Sequence, residues 1–412
     1  MLVLRHPSTG DLVAGVSVAL VAIPQSLAYA ELAGMPAQHG LYASALPSLI
    51  AALFVSSRYL QTGPVAMTAL LTFGALSPIA AAQSAEYVSL AALLALLVGV
   101  MRLMLGVARL GRVAYLLTPP VLVGFTTAAA LLILSSQLPK ALGVEPNRGG
   151  VIIDAIDAVL HPAAWRWPAM AYAAFALALI FGGRRVHALF PGVLLAVVLG
   201  VVISTGTDFG GAVVGELEGG FISLGVAFDW SSTTTLVVPA FVIALVGFAE
   251  PSSIARTFAA ADGESWDADR EMVSQGVANV AAAVSGAFPV GGSFSRSSLN
   301  RLAGATSAWA GAITGAFVLV AVPFTPVLRD LPEAVLGAVV IAAVIKLVDL
   351  RGVWNLLAVS RTQFAIGAVT LTATLASAPR IERGVLIGIA MSLVVTRFDR
   401  RSARPVTGDA SG

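Results

Sequence analysis

Residues 59–85 read YLQTGPVAMTALLTFGALSPIAAAQSA, a run with no Asp, Glu, Lys or Arg that is broken near its start by Gln61-Thr62-Gly63-Pro64. About 20 apolar residues suffice for a helix to cross the bilayer core. The run has that length, yet Gly-Pro does not belong inside a continuous helix, because proline removes a backbone donor and clashes with the preceding turn. It therefore reads as a membrane segment whose helix starts part-way through the bilayer.

The rest of the chain supports a membrane setting. Residues 12–30, 32–57, 113–139, 230–249, 302–328 and 362–379 also lack charged side chains. Further apolar candidates cover about 87–105, 167–183, 188–207, 272–290, 334–345 and 384–396. Hydropathy thus predicts some 12 to 14 spans, several of them short or interrupted by Gly and Pro.

Composition points the same way. Of 412 residues, 58% are hydrophobic and 11% charged, against about 25% charged in soluble domains. Mean hydropathy is +0.90. A net charge of +2 gives no bulk field for nucleic acid. The absence of cysteine excludes disulfide frameworks, thiol catalysis and Cys-based metal sites. The four histidines, His6, His39, His161 and His187, show no metal-ligand spacing, so neither a metal nor a cofactor is expected. Arg5, His6 and the Ala28-Tyr29-Ala30 triplet imitate a signal peptide. The run from Leu12 to Ala30 is long for one, and reads as a retained first span.

Loop charges fit 14 spans with both termini cytoplasmic. Arg102, Arg109 and Arg112 are read as one loop, Arg184 and Arg185 as another, and Arg397, Arg400, Arg401 and Arg404 follow the last span. All three groups then lie inside, as the positive-inside rule asks. Asp208, Glu216, Glu218 and Asp229, in a loop without Lys or Arg, lie outside.

A second break resembles the first. Phe288-Pro289-Val290-Gly291-Gly292-Ser293-Phe294-Ser295-Arg296 interrupts an apolar region in the second half. Gln25 precedes the first break by about 40 residues, and Glu250 precedes the second by about as many. Matched interruptions in two halves point to a transporter site, and an odd number of spans per half inverts one half relative to the other. A helix that starts inside the membrane presents free N–H groups and a positive dipole end, so two facing starts make an anion site without any lysine.

These stretches resemble the SulP family of anion transporters. The match runs through AIPQSLAYAELAGMP (22–36), HGLYASALPSLIAALFVSSRYLQTGPVAM (39–67), GFTTAAALLILSSQLPKALGV (124–144), ALVGFAEPSSIARTFAA (244–260), QGVANVAAAVSGAFPVGGSFSRSSLNRLAGA (275–305) and LPEAVLGAVVIAAVIKLVD (331–349). The resemblance implies an all-α polytopic membrane protein: 14 segments in two inverted seven-segment repeats, with half-helices 3 and 10 meeting at mid-membrane. The repeats are expected over 1–205 and 233–398, joined by an extracytoplasmic loop at 206–232 and followed by a short cytoplasmic tail at 399–412. It also implies a core and a gate subdomain, elevator-like movement, a homodimer in the inner (plasma) membrane, and a small anion as substrate with H⁺ or Na⁺ as coupling ion.

Carried over by residue, substrate contacts fall on Gln25 and Tyr29 in segment 1. They continue on Val65, Ala66 and Thr68 at the start of segment 3, and on Ser293, Phe294, Ser295 and Arg296 at the start of segment 10. Glu250 falls on segment 8 and, as a lone acid in an apolar run, is expected to carry a coupling proton. Two departures stand out: the sequence ends without the STAS domain usual in the family, and Pro251 stands where serine is commoner.

Each residue also has a plainer reading. Glu250 could brace the half-helices, an acid at that depth costing about 2.5–3.5 kcal/mol without a reason to be there. Arg296 could pair with Glu250, Ser293 suits a helix cap, and Thr68 suits a bond to its own backbone. Sulfate is the substrate the family suggests first; bicarbonate or a dicarboxylate are alternatives. A nucleobase permease of the same fold relies on acids rather than an arginine, and an anion channel would conduct without coupling. No nucleophile–base pair or P-loop supports an enzyme or an ATP-driven pump.

Overall fold

The computed structural model describes residues 6–111, 117–146, 149–187, 189–207, 209–217, 220–222, 224–225 and 227–402, without the side chains of 396–402. Arg5, Arg112, Asp208, Glu218, Arg404 and most of the expected tail lie outside the described residues, as do the side chains of Arg397, Arg400 and Arg401.

The first half contains α1 (Thr9–Leu32), α2 (Gln38–Phe54), α3 (Ala66–Leu76), α4 (Ala85–Val107), α5 (Pro119–Leu142), α6 (Val151–Leu160), α7 (Trp167–Val186) and α8 (Gly192–Gly206). The second contains α9 (Thr233–Asp262), α10 (Ala268–Val284), α11 (Phe294–Leu302), α12 (Trp309–Ala321), α13 (Glu333–Val344), α14 (Leu350–Val359), α15 (Arg361–Ala376) and α16 (Glu382–Ser402). The two lists match element for element. In each, the third helix is short and follows a two-residue strand: β1 (Thr62–Gly63) before α3 and β2 (Gly291–Gly292) before α11. In each, the sixth is a ten-residue helix with exposed apolar side chains, Ile153, Ile156 and Leu160 on α6 and Leu350, Trp354 and Val359 on α14. Ten residues cannot cross a bilayer, and such faces suit its interface. Setting these two aside leaves 14 membrane segments, seven per half, in inverted orientation. Hydropathy did not single out α6 or α14, because each is too short to register.

The helices pack as two bodies. One joins α1–α4 to α9–α12, chiefly through α4 against α10, α2 against α12 and α10, and α1 against α12. The other joins α5–α8 to α13–α16, chiefly through α5 against α13 and α15, and α7 against α13. Small residues allow the closest approach: a Cβ on Gly99 would meet the backbone nitrogen of Val280 at 2.8 Å, and one on Gly276 that of Leu103 at 2.8 Å. Such close backbone contact is how helices associate where water does not drive them together.

At the centre of the first body the two breaks pair with each other. Thr62 faces Gly292 and Gly63 faces Gly291 in an antiparallel ribbon, and Ser293 N–H donates to Gln61 O at 3.0 Å. Non-helical backbone is tolerated at this depth only where its polar groups are satisfied, and neighbouring side chains complete the satisfaction. Ser48 Oγ donates to Thr62 O (2.6 Å), Gln61 N–H donates to Ser297 Oγ (2.9 Å), and Gln275 Nε2 donates to Thr62 Oγ1 (2.8 Å). The Asn279 amide acts as an extra strand for Val290: its Oδ1 accepts from Val290 N–H at 3.0 Å and its Nδ2 donates to Val290 O at 3.1 Å.

Asn279→Leu keeps the volume but strands the Val290 N–H in a dry interior. The expected cost is about 1–3 kcal/mol, read as a lower melting temperature in detergent; melting at the parent temperature would show that the amide does not hold the ribbon.

Candidate functional site

The site is built where the ribbon feeds the two half-helices. α3 starts at Val65, which offers no side-chain cap, so its first-turn N–H groups carry the positive end of the helix dipole without an internal partner. α11 starts at Ser293, whose Oγ accepts from Arg296 N–H at 3.4 Å. α1 packs against both α3 and α11.

Arg296 is the principal charge. It is only 1% exposed, and its Nη2 donates to Pro64 O at 2.8 Å, crossing from the second break to the first. Its Nε and Nη1 have no hydrogen-bond partner among the described residues. No carboxylate lies within ion-pair distance of it there. Glu250, mid-way along α9, acts on it through space, while its Oε1 accepts from Phe294 N–H at 3.4 Å. The plainer reading of Arg296 as half of an ion pair with Glu250 is therefore not the arrangement found.

The other expected residues divide into two groups. Ser293, Ser295 and Phe294 stand together: Ser293 Oγ and Ser295 Oγ are 3.3 Å apart, and the Phe294 ring stacks on Phe258 with centroids at 6.3 Å. Phe294 and Ser295 are exposed and Glu250 half-buried, so this edge of the site is open. Tyr29 is buried within the fields of Arg296 and Glu250. Val65 and Ala66 are buried at the start of α3. Thr68 and Gln25 make up the second group, and both are buried. The Thr68 hydroxyl donates to Val65 O at 3.2 Å, turned into its own helix. Gln25 lies one turn before Tyr29 on α1, with its Oε1 unpartnered.

One expectation is corrected. Arg102 does not belong to a loop with Arg109: it lies on α4 and is fully buried. Its Nε donates to Ala244 O (3.1 Å), its Nη2 to Ile243 O (3.0 Å) and its Nη1 to Val290 O (3.0 Å). An arginine near the end of an apolar run resembles a loop residue by position. The helix continues to Val107, however, and the carbonyls of α9 hold the side chain inside. Asn279 and Gln275 were also missed; the only signal was an amide inside an Ala-rich span.

A family model described as the sulfate permease family matches residues 9–370. The chain belongs to the sulfate permease family. This is a family of membrane transporters, not of enzymes, and its members include anion carriers. The chain is 35% identical over 401 residues to a probable sulfate transporter, MT1781, of Mycobacterium tuberculosis, covering 96% of this chain and 71% of that protein. Its fold is that of murine solute carrier 26 member A9, described as an anion transporter in the inward-facing state: TM-score 0.86, 24% identity, 97% of this chain and 70% of that one. The transmembrane domain of the cyanobacterial bicarbonate transporter BicA aligns with a TM-score of 0.78 and 23% identity, over 93% of this chain and 97% of that domain.

Two features favour glycine at Gly63: its φ of +153° is one that L side chains rarely adopt, and a Cβ there would stand 3.2 Å from Arg296 Nη2. Gly63→Ala should destabilise the protein by about 1–3 kcal/mol, whereas Gly182→Ala, which meets open space inside α7, should stabilise it by about 0.5–1 kcal/mol. Equal melting temperatures for the two variants would contradict the crowding argument.

Proposed function

We propose that this protein is a secondary carrier of small inorganic anions, sulfate before others, working by an elevator-type movement of one helical body against the other. The observation that carries the reading is Arg296: a buried guanidinium with two N–H-bearing nitrogens unpartnered, beside an uncapped helix start. Unpaired buried donors of that kind are costly unless something accepts from them. A tetrahedral oxyanion offers acceptors to both the guanidinium and the α3 and α11 N–H groups. A neutral nucleobase would leave the positive field unanswered.

The movement is supported by packing. On the side towards Phe258 the site's edge is exposed. Near the C-terminal end of α1, two residues beyond Tyr29, Lys140 of α5 pairs with Glu31 of α1 and with Glu333 of α13, joining the two bodies. A cavity of about 790 Å³ lies beside this cluster, between α5, α6 and the start of α13. This asymmetry suits an inward-open arrangement. In this reading the repeats occupy 1–205 and 233–398, 206–232 is the extracytoplasmic connection, and both termini are cytoplasmic. The protein sits in the inner (plasma) membrane as a homodimer. Glu250, half-buried at the open edge and bound to Phe294 N–H, carries a coupling proton. Bicarbonate is the second substrate to consider, given the likeness to the BicA domain.

Proteoliposome uptake of labelled sulfate, bicarbonate, fumarate and uracil, with pH and Na⁺ gradients imposed separately, tests the reading. Saturable sulfate uptake is expected; uptake of uracil alone would sink it. Arg296→Ala should weaken apparent sulfate affinity about tenfold to a hundredfold, the worth of hydrogen bonds to a charged group; unchanged affinity would remove Arg296 from the site. Glu250→Gln keeps an oxygen for Phe294 N–H and should abolish the response to a pH gradient; a preserved response would assign coupling elsewhere.

A further inference from the structure

Arg102 has no part in the contacts proposed for the anion, yet its placement is unusual. It carries a permanent charge with no exposure to solvent. Its three bonds all go to main-chain carbonyls, which orient the guanidinium without neutralising it. No carboxylate among the described residues is within ion-pair distance of it. The buried acid of the adjacent α10, Glu271, is engaged by the backbone N–H groups of Ser56 and Ser57 and by Trp266.

The guanidinium also lies close to the first turn of α3. A Cβ on Gly247 would touch Arg102 Nη2 at 2.5 Å on one side and the Thr68 methyl, in the first turn of α3, at 3.1 Å on the other. Val290, which Arg102 holds, precedes β2 by one residue; Pro64, which Arg296 holds, follows β1 by one. The two arginines thus bind carbonyls at the same end of the ribbon, where Pro64 leaves Gly63 and Val290 enters its partner Gly291.

We propose that Arg102 is a specificity-determining residue: a second fixed positive charge, never touched by substrate, whose field through the low-dielectric ribbon favours divalent over monovalent anions. The inference rests on the anion-carrier reading above. A charge acting at an effective dielectric of about 20 across a few helix radii changes affinity about tenfold per unit of anion charge. Removing it therefore costs a divalent anion about tenfold more than a monovalent one. A residue that merely props the fold would weaken both equally.

The test compares apparent affinities for sulfate and nitrate in proteoliposomes for the parent, Arg102→Lys and Arg102→Gln. Arg102→Gln should lower the sulfate-to-nitrate preference about tenfold, and Arg102→Lys, which keeps the charge, should largely preserve it. Equal losses for both anions in Arg102→Gln, or a preference lost equally in both variants, would overturn the proposal. Should the Arg102 variants not fold, Arg296→Gln gives the reading: a residual preference for sulfate is expected because Arg102 persists, and complete loss of charge discrimination would overturn the proposal. Failure of the parent to take up any anion would instead remove the underlying carrier reading, and the inference with it.

Discussion

A peptide group in hydrocarbon has no water to bond, and this constraint organises the centre of the molecule. Two short stretches leave helical geometry there. They satisfy each other through the pairing of Thr62–Gly63 with Gly291–Gly292. Everything around them can be understood as completing that exchange. Ser48, Ser297 and Asn279 fill main-chain bonds the ribbon cannot make alone, Gln275 holds the Thr62 hydroxyl, and Arg102 and Arg296 hold the Val290 and Pro64 carbonyls at one end of it. The half-helices then begin at mid-depth because the ribbon ends there.

The same centre explains the distribution of charge. Glu250, Arg102 and Arg296 are costly in a membrane interior unless they are bonded or paired. Each here is held by main-chain groups rather than by an opposite charge. Such bonding fixes position while leaving each group's field standing, and the fields of the two arginines are of the sign that attracts an anion. Ion pairs appear instead towards the helix ends, as with Lys140 between Glu31 and Glu333, where they tie one helical body to the other.

Much of this was legible in the residues, for identifiable reasons. Gly63-Pro64 and Gly291-Gly292 announced themselves because charge-free runs seldom contain such breaks, and Glu250 and Arg296 stood out as lone charges near them. The placement of those charges relative to each other was not legible: their coupling through space depends on α9 and α11 meeting. Arg102 was misread because position along an apolar run does not say which way a side chain turns, and here it turns towards the carbonyls of Ile243 and Ala244. Asn279 was hidden among alanines, since its partner Val290 lies eleven residues on and only the fold of the break brings them together. The amphipathic helices α6 and α14 were too short for a hydropathy reading, although their matching places make the repeat plain once seen.

The ribbon also bears on how such a protein can change over generations. The pairing of the two breaks is made by the main chain, which point mutations cannot delete. Drift in the surrounding side chains can therefore retune substrate choice without dismantling the capacity to hold an anion. The vulnerable positions are the few whose loss alters the backbone's path, Gly63 and Asn279 among them. A lineage built on this plan has room to diversify its cargo cheaply and little freedom to abandon the plan itself.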